Sequence, residues 1–449
     1  RLRRRRRRGC GKTAPVHAGK RQPSQRQSGI NHRVAIPKYL DRLVDPLLQQ
    51  TLAGLPVVLI VGPRACGKTT TASRRARSIV RLDRDAEAVA FRADPDSALA
   101  RLLEPVLLDE WQMTPGVLGA IKRAVDTNPA PNRFLITESV RADLEAQGWP
   151  LTGRAVRVAI YGLSGRELYG DANAESVLDR IASHGVEALT VPDRPPDLGG
   201  YVERALRGGF PEAALAASDA LAQQWLDSYI EQVVTRDAEL VDAGRDLQKL
   251  RRYLETLCLH TAGVVEGKAL YDAAGINRKT AVAYDRLLGN LLIVEETPAW
   301  WTNRLKRLVR SPKRYVVDPA IAATVLRLDA AGVLRDGDVL GRLLDTYVMA
   351  QLRAELPVCR SRPRFHHLRM EQGRHEVDVI VELGGGRVIA CEVKASSAPY
   401  SSDAVHLRWL RDQLGDRFVG GVVFHTAPQL YRMDDRIVAA PICALWGRA

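Results

Sequence analysis

The chain has 449 residues, 46% of them hydrophobic and 26% charged, a mix that excludes wholesale disorder, a collagen-like repeat and a disulfide-stapled mini-protein. Its formal net charge is +14, but residues 1–40 hold 13 Lys or Arg and no Asp or Glu, leaving 53 basic against 52 acidic side chains in the other 409. The excess charge therefore belongs to the leader, and the body is nearly neutral.

Residues 1–36 begin with a run of arginines and continue in Gln, Ser, Gly and Pro without apolar periodicity, so they are expected to be disordered. Such a segment is either a solvated tail or an arm that sits on nucleic-acid phosphates. It lacks the apolar stretch of a signal peptide. Gly9-Cys10-Gly11-Lys12-Thr13 mimics a phosphate loop, but the first glycine of the full pattern would fall at Arg6, so the string is a decoy. The longest apolar run, 55–61, is far short of the ~20 residues of a membrane span. The six cysteines show neither a C-x-x-C pair nor zinc spacing, which suits a reducing cytoplasm.

Val57-Val58-Leu59-Ile60-Val61 predicts a buried parallel strand. Gly62-Pro63-Arg64-Ala65-Cys66-Gly67-Lys68-Thr69 follows at once, a complete G-x-x-x-x-G-K-T pattern. The glycines let the backbone curl so that N–H groups face a β-phosphate. Lys68 reaches the β- and γ-phosphates, and the Thr69 hydroxyl ligates Mg²⁺. Residues 70–78, from Thr70 on, read as the helix whose N-terminal end favours the anion. Further along, Pro105-Val106-Leu107-Leu108-Asp109-Glu110 is an apolar strand ending in two carboxylates. Asp109 is expected to hold Mg²⁺ and Glu110 to polarise a water for attack on the γ-phosphate.

A third strand, Arg133-Phe134-Leu135-Ile136-Thr137, ends in polar Thr137, Glu138 and Ser139. In this class of ATPase such a residue reads the γ-phosphate and the attacking water, which is the role expected of Thr137. In Leu151-Thr152-Gly153-Arg154, Arg154 is either a surface arginine or one that contacts the γ-phosphate in cis or a neighbour's nucleotide in trans. Together with Leu163-Ser164-Gly165-Arg166-Glu167-Leu168, Gly208-Gly209-Phe210-Pro211-Glu212, Trp225-x3-Tyr229 and Arg236-Asp237, these motifs resemble the prokaryotic AAA-type ATPases that pair a P-loop domain with a C-terminal domain of unknown function. The resemblance covers roughly residues 37–449. Glu138 departs from it, standing where the family usually has Gly. A carboxylate there is expected to repel nucleotide and slow turnover.

Residues 171–240 carry helical spacing broken near 192–200 and 208–211, the pattern of a helical connector. Helices are expected over 247–262, 266–275 and 277–288, followed by a hairpin of 291–296 with 314–317. Trp300, Trp301, Arg304, Lys306 and Arg307 lie between its arms. That order outlines a winged helix-turn-helix, with Arg278, Lys279 and Arg286 available to phosphates. The other reading is a packing module that supports the ATPase.

Residues 341–356 predict a helix containing Asp345, and 364–368, 376–381 and 388–394 predict strands, with Gly384-Gly385-Gly386 as a hairpin turn. Period-two alternation puts Glu392 and Lys394 on one face, and the hairpin can set Asp378 beside Glu392. Two such carboxylates make a hard-cation site for Mg²⁺, with Lys394 orienting a water or stabilising charge on phosphate. Asp378 with Glu392-x-Lys394 resembles the PD-(D/E)xK restriction-endonuclease-like superfamily, which implies Asp378 and Glu392 as metal ligands and Lys394 beside them. The other readings are a surface salt-bridge cluster and a nuclease fold without cleavage.

The expected architecture is α/β: a basic tail (1–36), a P-loop NTPase three-layer sandwich (37–170), a helical connector with a winged-helix-like module (171–335) and a small α/β nuclease-like domain (336–449). The expected function is a cytoplasmic AAA-type ATPase using ATP and Mg²⁺. Alternatives are a nucleotide-gated DNA nuclease and a non-catalytic, nucleotide-dependent regulatory protein. The expected partners are DNA, through tail, winged-helix-like module and nuclease-like domain, and a second copy of the chain; no membrane is expected.

Overall fold

In the computed structural model, which describes residues 39–138, 149–237, 246–300, 311–370 and 374–448, strand β1 (Val57–Val61) is buried at all five positions. That is the pattern of a parallel strand covered on both faces. It joins β2 (Ser78–Arg81), β3 (Val106–Asp109), β4 (Phe134–Glu138) and β5 (Ala155–Ala159) in a wholly parallel sheet ordered β2-β3-β4-β1-β5. Alternate residues go to opposite faces. Leu59, Leu108, Phe134 and Ile136 pack with Ile121 and Val125 of the helix Val117–Thr127. Val58, Ile60, Leu107 and Leu135 pack with Leu48 and Leu52 of the helix Asp45–Gly54. Each buried leucine contributes about 1.5–3 kcal/mol. Helices thus cover both faces of a parallel sheet.

The helix expected over 70–78 is shorter: it spans Lys68–Ser73. Ser78–Arg81 is a strand because Ile79 and Val80 are β-branched and the edge of β3 offers them a ladder, from Ser78↔Val106 to Arg81↔Asp109. The basic leader, Ser139, and Trp301, Arg304, Lys306 and Arg307 lie outside the described residues.

Beyond the sheet, the residues expected to form one connecting region are shared between two cores. Ile181, Tyr201 and Val202 pack with the C-terminal elements. From Phe210 onward a separate core forms. The helices Asp219–Gln232, Leu247–Leu259, Gly267–Ala273 and Arg278–Asn290 enclose Leu226, Leu254, Leu270 and Leu287 there. An antiparallel hairpin of β6 (Val294–Thr297) and β7 (Lys313–Val316) follows, and then the helix Pro319–Val325.

The C-terminal part is a mixed sheet in the order β12-β13-β11-β10-β9-β8. Strands β8 (Arg364–Met370), β9 (His375–Glu382) and β10 (Val388–Val393) form an antiparallel meander. The helix Val405–Leu414 then carries the chain to β11 (Phe418–His425), parallel to β10. β12 (Tyr431–Asp434) and β13 (Ile437–Pro441) complete the sheet. One face packs on the long helix Gly337–Glu355 through Val379, Ile389 and Phe424. The other packs on Leu407 and Leu410 through Ile380, Ala390 and Val423. No helix among the described residues is long and apolar enough to cross a membrane. Cys66, Cys258, Cys359, Cys391 and Cys443 are free, buried thiols.

Candidate functional site

At the carboxyl end of β1 the chain turns through residues 62–67 into the helix Lys68–Ser73. Glycine is required at two of these positions. A Cβ on Gly62 would overlap the carbonyl oxygen of Ile160, and Gly67 has φ +94°, a region glycine enters freely. Lys68 is buried. Its ammonium donates to the carbonyls of Gly62 at 3.0 Å and Pro63 at 2.7 Å. Arg42, without any motif around it, braces the turn: it donates to Cys66 O at 2.9 Å, Tyr161 O at 2.7 Å and Glu167 Oε1 at 2.8 Å.

The two acids of β3 arrive beside this turn although β4 separates β3 from β1. Thr69 Oγ1 donates to Asp109 Oδ1 at 2.8 Å. Thr137, at the end of β4, donates its hydroxyl to the same carboxylate and accepts the Glu110 N–H at 3.1 Å. Thr137 is thus a splint between the two acids. Glu110 has φ 55°, and its carboxylate accepts from the Gln112 side-chain amide. Glu138 sits opposite Val61 and is buried; it is not among the residues that line the cleft described next.

A cleft of about 430 Å³ opens over the turn. Arg64, Ala65, Gly67, Lys68, Thr69 and Thr70 line one side, with Glu110. Trp225 and Tyr229 of the helix Asp219–Gln232 line the other, their rings stacked at 5.2 Å with 14° between planes. Gly62, Pro63 and Cys66 are buried and do not line the cleft. The first two hold Lys68, and the Cys66 thiol is buried 3.6 Å from Ile160 O. Arg154 requires a correction. It precedes the first residue of β5, which pairs with the first residue of β1 (Val57↔Ala155). Five residues at about 3.3 Å each separate that end of the sheet from the turn. Arg154 instead pairs with Asp126 at 2.5 Å, so a contact in cis is ruled out.

The donor set fits a nucleotide with Mg²⁺. Thr69 and Asp109 offer adjacent hard oxygens, and Mg²⁺ characteristically takes one or two protein oxygens plus phosphates and water. Lys68 supplies the cation for the phosphates.

The C-terminal constellation assembles differently. The ladder that pairs Cys391 with Val379 sets Glu392 across from Asp378, as the expected hairpin requires. Lys394 Nζ lies 3.2 Å from Glu392 Oε2. Asp345 joins them from its helix, and so does a residue with no sequence signal, Lys313 of β7. Its ammonium lies 2.6 Å from Asp345 Oδ2 and 2.9 Å from Asp378 Oδ1. Burial opposes the Lys313 charge, but the two carboxylates more than offset that and hold it protonated. Burial and the Asp378 charge push Glu392 well above the ordinary carboxylate range. The structure thus brings Asp378, Glu392, Lys394 and Asp345 together as expected and adds an ammonium against Asp345 and Asp378 that the sequence did not announce; no cluster of three or more His, Cys, Asp or Glu among the described residues suits a metal.

Comparison with known proteins follows the same division. Residues 55–169 match a family described as an AAA domain. Residues 199–332 and 340–445 match two families described as domains of unknown function, DUF8612 and DUF4143. Uncharacterized proteins of Mycobacterium bovis and Mycobacterium tuberculosis are each 29% identical over 399 residues, 88% of this chain and 82% of theirs. Among solved structures, the Walker-type ATPase of Pyrococcus abyssi shares 17% identity over 65% of this chain and 96% of its own, with a TM-score of 0.37. A DNA polymerase III gamma subunit-related protein of Thermotoga maritima shares 12% over 70% and 100%, with a TM-score of 0.21. The segment that resembles an AAA domain is the one that holds the parallel sheet and the turn 62–67.

Proposed function

We propose that the chain is a Mg²⁺-dependent ATPase whose nucleotide occupies the cleft between the turn 62–69 and Trp225. The observation that carries this reading is the Thr69–Asp109 contact of 2.8 Å beside the Lys68 ammonium, in a family whose model covers this segment. In the proposed reaction Lys68 leaves its two carbonyls for the β- and γ-phosphates. Thr69 and Asp109 would hold Mg²⁺, which when bound neutralises charge on the phosphates. Glu110 polarises a water toward the γ-phosphorus, the bond to the bridging oxygen breaks, and ADP and phosphate leave. Thr137 keeps Glu110 and Asp109 in register.

Lys68→Ala is expected to weaken ATP binding by roughly 100-fold, since charged hydrogen bonds contribute about 1.5–3 kcal/mol each. Equal affinity of variant and wild type for a fluorescent ATP analogue would refute the reading. A DNA contact is supported by one observation: Arg278, Lys279 and Arg286 are exposed on a single helix whose other side is core. Its test is salt-dependent DNA binding that weakens when the three are replaced.

A further inference from the structure

We infer that the acid pocket of the C-terminal sheet is a socket for Lys313 of the β6–β7 hairpin, whose ammonium takes the place of a divalent cation and keeps the hairpin docked on the sheet. This is independent of the nucleotide reading.

The socket is built from elements far apart in the chain. Asp345 comes from the helix Gly337–Glu355 and Asp378 from β9, and Lys313 reaches both with its side chain only 3% exposed. Tyr315, two residues on along β7, donates to the second oxygen of Asp345 at 3.1 Å. The second oxygen of Asp378 accepts the Val393 N–H at 3.0 Å. All four oxygens of the two aspartates are therefore engaged. A divalent cation needs about six oxygen donors at roughly 2.0–2.6 Å, and it would meet the ammonium at repulsive range. One oxygen in the cluster, Glu392 Oε1, is buried without a hydrogen-bond partner.

A second set of contacts keeps Lys313 from withdrawing. The chain next to β6 is stitched to β8: Trp300 N–H donates to His367 O at 2.6 Å, and His367 N–H to Pro298 O at 3.0 Å. The Trp300 ring is buried in the core on that side of the sheet. The hairpin is docked by its backbone and plugged by its lysine.

Mn²⁺ uptake by the nucleotide-free full-length chain, read by electron paramagnetic resonance and thermal melting, tests this in wild type, Asp378→Asn and Lys313→Met. Uptake at the P-loop is common to all three and cancels. Wild type and Asp378→Asn are expected to take up equal Mn²⁺. Lys313→Met is expected to melt lower than wild type, bind one further Mn²⁺ per chain, and regain melting temperature as Mn²⁺ is added. Greater uptake by wild type than by Asp378→Asn overturns the inference, whether or not Lys313→Met folds. A folded Lys313→Met that melts like wild type, or gains no Mn²⁺, overturns it as well.

Discussion

Glu110 carries a side chain in left-handed backbone conformation, φ 55° and ψ 52°, an arrangement that costs on the order of 1–3 kcal/mol and persists only where neighbours over-determine it. Thr137 and Gln112 do so here, one through the backbone N–H and the other through the carboxylate. That bend turns the chain after β3 so that Glu110 reaches the cleft while Asp109 stays buried beside Thr69. Glu110→Gln keeps the shape and removes the base. ATP binding is expected to remain and steady-state turnover to fall by about 10²–10⁴-fold; turnover within a factor of two of wild type would remove Glu110 from the reaction. The turn 62–69 and the pair Asp109-Glu110 were legible in the sequence because phosphate chemistry demands contiguous residues. Arg42 and Lys313 were not, since each acts on groups more than 20 residues away and nothing local distinguishes either among 66 Lys and Arg. Arg154 misled for the same reason: its motif gives an arginine but not the end of the strand on which it sits.

At the scale of elements, the short helix Gly165–Tyr169 is the joint of the molecule. Ser164 and Glu167 cap it reciprocally, a capping box that the string Ser164-Gly165-Arg166-Glu167 spells out. The Glu167 carboxylate also receives Arg42 from the nucleotide side. Gly165 N–H donates to Gln351 Oε1 at 2.5 Å on the long C-terminal helix. Propensity alone favours alanine over glycine in a helix, but a Cβ on Gly165 would lie 2.5 Å from the Trp446 ring. Gly165→Ala is therefore expected to destabilise the chain by about 1–3 kcal/mol through overpacking, seen as a lower midpoint in chemical denaturation; an equal or higher midpoint would mean that Trp446 yields freely. The box was readable in sequence, whereas its partners were not, because Gln351 and Trp446 arrive through the tertiary fold. The edge strand β2 escaped for a similar reason: residues 78–81 are strand only because β3 lies alongside.

Over the whole molecule, one buried and one largely buried ion pair tie the parallel-sheet part and the hairpin to the long helix: Arg166 with Glu355 at 3.1 Å and Arg353 with Glu295 at 2.7 Å. Burial pushes Glu355 from its ordinary 4.5 up to about 7, against the pull of Arg166. Glu167 adds to that rise, and Arg180 opposes it. The folded chain therefore holds a proton that the unfolded chain releases. The stabilisation from that proton is complete below about pH 4.5 and is lost as pH rises to about 7, on the order of 3 kcal/mol in all. Urea denaturation at pH 5 and pH 8 should show Glu355→Gln losing less stability than wild type over that interval; parallel losses would mean that Glu355 titrates normally. The two sides of the nucleotide cleft, meanwhile, are rooted in different packed bodies. Lys68, Thr69 and both acids stand on the parallel sheet, whereas Trp225 and Tyr229 stand on the helical core that includes Phe210. The width of the gap is therefore set by how these separately packed cores meet within one compact unit, not by the interior of either.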